Sequence, residues 1–211
     1  MHKKIDILEK GNLIDIRCEE EFDGEKFDGI SLLCGELIGV KFYSCTFTDC
    51  DFSETLFRGC RFVDCKFLRC NLSMIDISES SFSRTQFRDS KTIGINFAAC
   101  EIRNPKYNCP ISFFGCVLSH STFMGLDLKG IVMQECFAKD VDFREANLSK
   151  GRFEHTDFKE SLFGNTNLAH ANFHYSKNYM IDAMNNNIKR AKFMMPEAMS
   201  FLYSLDIDLS E

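Results

Sequence analysis

Cysteine is the residue type in this sequence with the most obvious capacity for chemistry. The 211 residues include 11 cysteines, and the densest group falls at multiples of five residues: Cys45, Cys50, Cys60, Cys65 and Cys70. Thiolates at regular spacing are candidate metal ligands, but no histidine follows them at the spacing of a zinc site. We therefore predict no metal and no cofactor, and the spacing needs a structural explanation.

Histidines and paired carboxylates are the other candidates for catalysis. None of the five histidines has an evident nucleophile as partner: His2, His120, His155, His170 and His174. The pairs Asp49/Asp51 and Asp140/Asp142 could face one cleft, but phosphate-binding loops and zinc-protease motifs are absent. Solvated surface is the simpler interpretation of these side chains, and we predict that the protein is not an enzyme.

A repeat of five residues must position all of these side chains. Phenylalanine occupies every fifth position in the centre of the repeat, followed by leucine: Phe42, Phe47, Phe52, Phe57, Phe62, Phe67 and Leu72. A period of five fits neither a helix nor a flat strand. It fits a chain that turns a corner every five residues, with two residues of each five pointing inward. We call the phenylalanine position the anchor.

The cysteines follow the same repeat. Eight of them lie two residues before an anchor, where Thr, Ser, Ala or Ile stand elsewhere: Cys45, Cys50, Cys60, Cys65, Cys70, Cys100, Cys116 and Cys136. Such a position suits a small buried filler. Cysteines 20 residues apart would stack about 4.8 Å apart with parallel side chains, whereas a disulfide needs converging ones. We predict buried, unpaired thiols.

The repeat extends from Phe22 to Phe173 with one change of phase. Anchors of the first register continue to Ile102 and Tyr107, and the second register begins at Phe113. The shift of one residue falls within Asn104–Ser112, which contains two prolines. We interpret it as a local bulge and not as a domain boundary.

The pattern predicts an all-β fold, a right-handed quadrilateral β-helix with a short C-terminal helical cap. Four five-residue sides make a 20-residue coil, and stacked coils about 4.8 Å apart give a rod of roughly 35 to 40 Å. We divide the chain into an N-terminal cap (1–18), the β-helix (19–175), and a C-terminal cap and dimerisation tail (176–211). In that tail Pro196 suits the first turn of a helix, and Asp206 to Leu209 alternate like a last strand.

Charge and hydropathy limit the partners. The formal net charge of −6 argues against nucleic acid as a direct ligand. No apolar run resembles a signal peptide or a membrane span, so we expect a cytoplasmic protein without membrane contact. Under a strict wrap of four anchors per coil, one side collects an acidic stripe: Glu36, Asp76, Glu79, Asp140, Asp157 and Glu160. An anionic stripe on a rod can imitate a phosphate backbone.

The repeat resembles that of the pentapeptide-repeat proteins, and the tail from Asn178 to Leu209 is similar to that of the Qnr-type members. The resemblance implies binding to type II topoisomerases (DNA gyrase, and topoisomerase IV as a second target) by mimicry of duplex DNA, with inhibition, protection from quinolones, or both. Strongly protective members of this family carry long loops that project from the rod. In this sequence such loops are missing. The alternative is a structural or scaffolding solenoid that binds an unrelated protein.

The tail is more apolar than a rod end requires. Five of the nine methionines lie between Tyr179 and Leu209, and methionine-rich surfaces adapt to partners. The segment could simply plug its own rod; we favour a tail-to-tail homodimer. The predicted interface is Met199, Phe201, Leu202, Tyr203 and Leu205.

Overall fold

The N-terminus forms a β-hairpin that covers the first coil. The computed structural model describes residues 4–9, 12–17, 20–102 and 111–205, with side chains described from residue 20 onward except at 203 and 204. Strand β1 (Lys4–Glu9) pairs antiparallel with β2 (Asn12–Arg17) and with β5 (Ile30–Ser31). The predicted N-terminal cap therefore contains two strands.

Short parallel strands stack into the sides of a β-helix, which confirms the predicted fold class. Each side is named by its anchor between residues 42 and 57. The Phe42 side holds β3 (Glu21–Asp23), β7 (Lys41–Tyr43), β10 (Arg61–Val63), β12 (Ser81–Ser83) and β14 (Glu101–Ile102). The Phe47 side holds β4 (Lys26–Asp28), β8 (Thr46–Thr48), β11 (Lys66–Leu68), β13 (Thr85–Arg88), β15 (Ile111–Phe114) and β16 (Val132–Gln134). The Phe57 side holds β6 (Glu36–Ile38) and β9 (Leu56–Arg58), and the Phe52 side is built from isolated bridges such as Asp51 to Asn71.

The anchors form the core that the repeat predicts. Phe62 stacks on Phe42 with ring centroids 5.2 Å apart and on Phe82 at 4.9 Å. Rings on neighbouring sides meet at steep angles, as Phe42 and Phe47 do at 77°. Both geometries suit aromatic pairs. Since these rings are almost completely buried, each contributes on the order of 1.5 to 3 kcal/mol.

The residue two places before each anchor is both a filler and a hydrogen-bond donor. The Cys65 Sγ donates to the Phe42 carbonyl at 3.3 Å, a residue 23 positions earlier. Thr156 donates to the Met133 carbonyl in the same way at 2.8 Å. The eight predicted cysteines are buried and none forms a disulfide. Burial raises the pKa of the Cys65 thiol to about 12. Cysteine thus stands in for serine and threonine in linking one coil to the next.

The interruption after Ile102 is larger than predicted. Phe113 stacks on Phe87 at 5.1 Å, and Phe123 stacks on Phe97 at 4.5 Å. These partners lie 26 residues apart, whereas other coils repeat every 20. The interpretation as a one-residue bulge was wrong, because the coil gains six residues between Ile102 and Ile111. The predicted anchor Tyr107 lies outside the described residues.

The β-helix also continues further than the sequence pattern suggested. Lys192 bridges to Asn172, and Phe193 stacks on Phe173 at 5.0 Å. The sequence pattern predicts an end near Phe173, and the next two anchor positions hold Asn178 and Ala183. In the structure Asn178 is exposed and the next residue, Tyr179, is buried instead.

A 3-10 helix, Glu197–Leu205, follows this last coil. The helical cap was predicted, and Pro196 precedes it directly. Phe201 packs onto Phe193 at 4.6 Å and onto Tyr179 at 5.9 Å, so the helix covers the aromatic core at the rod's end. The strand predicted for Asp206 to Leu209 lies outside the described residues.

Candidate protein-interaction surfaces

The six acidic residues predicted as one stripe lie on two different sides of the rod. On the Phe57 side, Glu36 pairs with Leu56, which bridges to Asp76. On the Phe52 side, Asp157 bridges to Phe137 in a ladder that continues back to Asp51. The sequence assignment assumed one extra residue before Ile111, whereas the coil contains six. Every later residue therefore lies one side earlier in the coil than the sequence assigned it. Glu36, Asp76 and Glu79 therefore belong to the Phe57 side, and Asp140, Asp157 and Glu160 belong to the Phe52 side.

Basic partners offset the acids of the Phe52 side. Asp140 contacts His120 at 2.9 Å, and Asp157 contacts Lys177 at 3.4 Å. Glu160 lies 3.5 Å from Lys139. Burial by itself would raise the pKa of Asp157, but hydrogen bonds from Asn178 and Lys159, with the charge of Lys177, hold that pKa below its ordinary value. The Phe52 side is therefore charged but close to balanced.

The Phe57 side carries the true acidic excess, which we call the acidic face. The ladder continues through Thr122 and Asp142 to Leu162, so two acids that the sequence assignment missed belong to it. Its described acids up to Leu162 outnumber its two basic residues, Arg58 and Arg144; they are Glu36, Asp76, Glu79, Asp142 and Glu145. The sequence could not assign these two acids to the Phe57 side, because it does not reveal the size of the interruption after Ile102.

The charges of the acidic face are fixed by local contacts. Arg58 reaches Glu79 at 3.0 Å, and Arg144 reaches Asp142 at 2.7 Å. The Ser78 hydroxyl and backbone N–H both donate to the Asp76 carboxylate, and these bonds lower its pKa. The Arg144 guanidinium likewise lowers the pKa of Asp142. Asp76 and Asp142 are therefore ionised at neutral pH.

Small residues lie between several charges of the acidic face: Gly39, Gly59, Ala98, Ala99, Gly125 and Gly164. Two large apolar side chains also project from this face, Met124 at 40% and Leu162 at 46% exposure. A shallow notch of about 290 Å³ opens beside Asp76, with Ser78 and Asn96 in its lining.

The C-terminal end exposes the apolar surface that the tail predicted. Of the predicted interface residues, Met199 is 42% exposed and Leu205 is 45% exposed. Phe201 and Leu202 are half-buried, and the Tyr203 side chain lies outside the described residues. Three further methionines, which the predicted interface left out, are more open: Met180 at 62%, Met184 at 79% and Met195 at 67%. Methionine therefore dominates the exposed apolar surface of this end.

The hydroxyl of Tyr179 is a second feature of this end. It is the one fully buried side-chain oxygen in the described part of the chain without a hydrogen-bond partner. Burial, with the nearby Glu197 carboxylate, raises its pKa to about 12.

No group of three or more His, Cys, Asp or Glu side chains in the described ranges could hold a metal ion. Within those ranges, no helix has the length and apolar character needed to cross a bilayer.

These features define a solenoid of five-residue sides. Residues 40–109 match the family model described as a pentapeptide repeat region. The chain therefore contains a pentapeptide repeat region, as its sequence predicted.

Two solved structures have a similar fold. Both are trypsin-treated forms of QnrB1, described as a plasmid-mediated fluoroquinolone resistance protein. The first has a TM-score of 0.66 at 20% identity, covering 92% of this chain and 93% of that chain. The second has a TM-score of 0.58 at 19% identity, covering 90% of this chain and 98% of that chain. No curated protein sequence matched. At such identities the likeness concerns the fold.

Proposed function

We propose that this protein is a non-catalytic, cytoplasmic DNA mimic that binds a type II topoisomerase, DNA gyrase or topoisomerase IV. Binding inhibits the enzyme, protects it from quinolones, or does both. The observation that carries the proposal is the acidic face. It is a row of acidic side chains along one side of a rod, and such a row complements a protein surface built to hold DNA phosphates.

The rod's length supports a dimeric form of the mimic. Eight steps along the Phe42 side, from Phe22 to Ile188, give about 38 Å at roughly 4.8 Å per coil. Two rods joined at their C-terminal ends would extend about 76 Å, the length of roughly 22 base pairs. The methionines exposed at that end supply the apolar surface for a two-fold contact.

The fold likeness to QnrB1 is consistent with this assignment. QnrB1 is described as a plasmid-mediated fluoroquinolone resistance protein. The charge distribution of the present chain is what supports topoisomerase binding in this proposal.

A matched pair of charge variants tests the proposal. The first variant neutralises the acidic face with Glu36→Gln, Asp76→Asn, Glu79→Gln and Glu145→Gln. The second neutralises four acids of the Phe52 side with Glu54→Gln, Asp140→Asn, Asp157→Asn and Glu160→Gln. Both raise the net charge equally and keep hydrogen-bond acceptors in place, and both sets of side chains are solvent-accessible, so melting temperatures should barely change.

Gyrase binding and DNA supercoiling, with and without a quinolone, are the measurements. The acidic-face variant should bind at least about tenfold more weakly and with a flatter salt dependence, while the control stays close to native. Equal losses in both variants would show that net charge alone matters. If the native protein binds neither topoisomerase, the scaffolding alternative replaces the mimic.

A further inference from the structure

The rod carries a cluster of positive charge at the corner between the Phe42 and Phe47 sides, in its C-terminal half. We call this cluster the basic edge. It consists of five exposed side chains: Lys150, Arg152, Lys189, Arg190 and Lys192. Neither the acidic face nor the exposed methionines account for it.

The ladder geometry brings the five cations together. Arg152 bridges to Asn172, which bridges to Lys192, so Arg152 and Lys192 lie two coils apart, about 10 Å. The Lys150 backbone N–H bonds to the Ala169 carbonyl, and the His170 N–H bonds to the Lys189 carbonyl. Lys150 and Arg190 are therefore also two coils apart, one at each end of a parallel column.

No cation of the basic edge forms an ion pair with a residue in the described ranges. Several basic side chains elsewhere on the rod do form ion pairs, as Arg58 does with Glu79 and Arg69 with Asp49. The acid next to the edge, Glu154, accepts hydrogen bonds from Gln134 and Asn172. Glu154 keeps its negative charge, but one acid beside five cations leaves the edge with a positive excess.

The surroundings of the edge favour an anionic polymer over a protein. The outward positions between its cations hold small or polar residues, Ser149, Ala169, His170 and Asn172. Energetically dominant contacts between proteins usually need a buried aromatic or aliphatic anchor, and these positions offer none. Lysine and arginine bind phosphates without such an anchor.

We propose that the basic edge binds the phosphodiester backbone of a nucleic acid. The net charge of −6 does not oppose this local contact, because salt screens charges beyond roughly 8 Å at physiological ionic strength. The edge and the acidic face would then act on different partners. This inference does not depend on topoisomerase binding.

Fluorescence anisotropy of the full chain with a labelled duplex of about 20 base pairs, and with one of its single strands, tests the proposal. The native protein should bind with micromolar affinity at about 50 mM salt, and five phosphate contacts give a log–log salt slope of about −4.5. The tighter of the two probes identifies the form of nucleic acid preferred.

The triple variant Lys150→Gln/Arg190→Gln/Lys192→Gln should reduce the slope to about −1.8 and weaken binding at least about tenfold. The control Lys91→Gln/Lys139→Gln/Lys159→Gln removes the same charge from the Phe52 side and should remain within about threefold of native. The proposal is wrong if both triples lose affinity equally or if neither probe binds the native protein. It is also wrong if polyglutamate displaces the labelled DNA more effectively than unlabelled DNA does, because the edge would then fit an acidic protein.

Discussion

The central coils and the C-terminal end use similar apolar side chains in opposite ways. Between Phe42 and Phe87 every phenylalanine anchor points inward and is almost fully buried. From Tyr179 to Leu205, aromatic rings still fill the interior, but Met184 and Met195 are more than 60% exposed. The same chemical type therefore stabilises the fold in one region and remains available for association in the other. Solvent exposure of each site separates the two roles.

A negative charge placed at each kind of site should show the largest contrast. Phe62→Asp should destabilise the protein by more than about 5 kcal/mol, because a large cavity and an unpaired buried charge act together. Met184→Asp puts the same charge on the exposed end and should change stability by less than about 0.5 kcal/mol. Urea unfolding followed by circular dichroism measures both. A stable Phe62→Asp protein would contradict the inward stacking of the phenylalanine anchors.

Dimerisation should be sensitive to charge placed at the C-terminal end and insensitive to charge placed on the coils. Met195→Glu/Met199→Glu should convert a dimer of twice 24.3 kDa into a monomer at micromolar concentration, since apolar contact with the second copy is replaced by charge repulsion. Sedimentation velocity measures the mass. Met74→Glu, on an exposed methionine of the Phe52 side, is the matched control and should leave the dimer intact. A native chain that sediments as a monomer would remove the dimer altogether.

Substitution of an inward cysteine should have a smaller effect on stability, and this effect concerns only the packing of the coils. Cys65→Ser keeps a donor for the Phe42 carbonyl, whereas Cys65→Ala leaves that carbonyl without this bond. We expect the alanine variant to be about 1 kcal/mol less stable than the serine variant. Native-state alkylation should modify exposed Cys34 well before Cys65, as mass spectrometry can show. Equal alkylation rates would contradict the inward assignment.

Tyr179→Phe should have the smallest effect and a favourable sign. Removing a buried hydroxyl without a described partner should leave stability unchanged or raise it by up to about 1 kcal/mol. The aromatic contacts with Phe173 and Phe193 are kept. A thermal melt of the two proteins decides the sign. A loss of more than about 1 kcal/mol would mean that the hydroxyl is hydrogen-bonded in solution.

The anchors could be predicted from the sequence because burial imposes its period on residue type. Phe62 and Cys65 are both inward-facing in the structure, as their spacing required. The size of the interruption could not be predicted, because an insertion of one residue and one of six shift a five-residue pattern equally. Every side assigned after Ile102 was therefore displaced by one, and Asp142 and Glu145 were missed while Asp157 was included wrongly.

The C-terminal end of the β-helix could not be predicted from the sequence for a different reason. Ile188 and Phe193 keep the register, but Asn178 and Ala183 precede them at anchor positions. Tyr179 fills the core in place of Asn178, a substitution of one neighbour for another that a strict five-residue count does not detect.

The 20-residue coil restricts which length changes the gene can tolerate. Losing or gaining one whole coil alters the rod's reach by about 4.8 Å and leaves each surface facing its original direction. A change of five residues within the stack preserves every buried ring, yet rotates all later surfaces by a quarter turn and so divides the acidic face between two directions. The insertion after Ile102 rejoins the stack with Phe113 above Phe87. Such a place can vary in length between relatives while recognition on both flanking halves stays aligned.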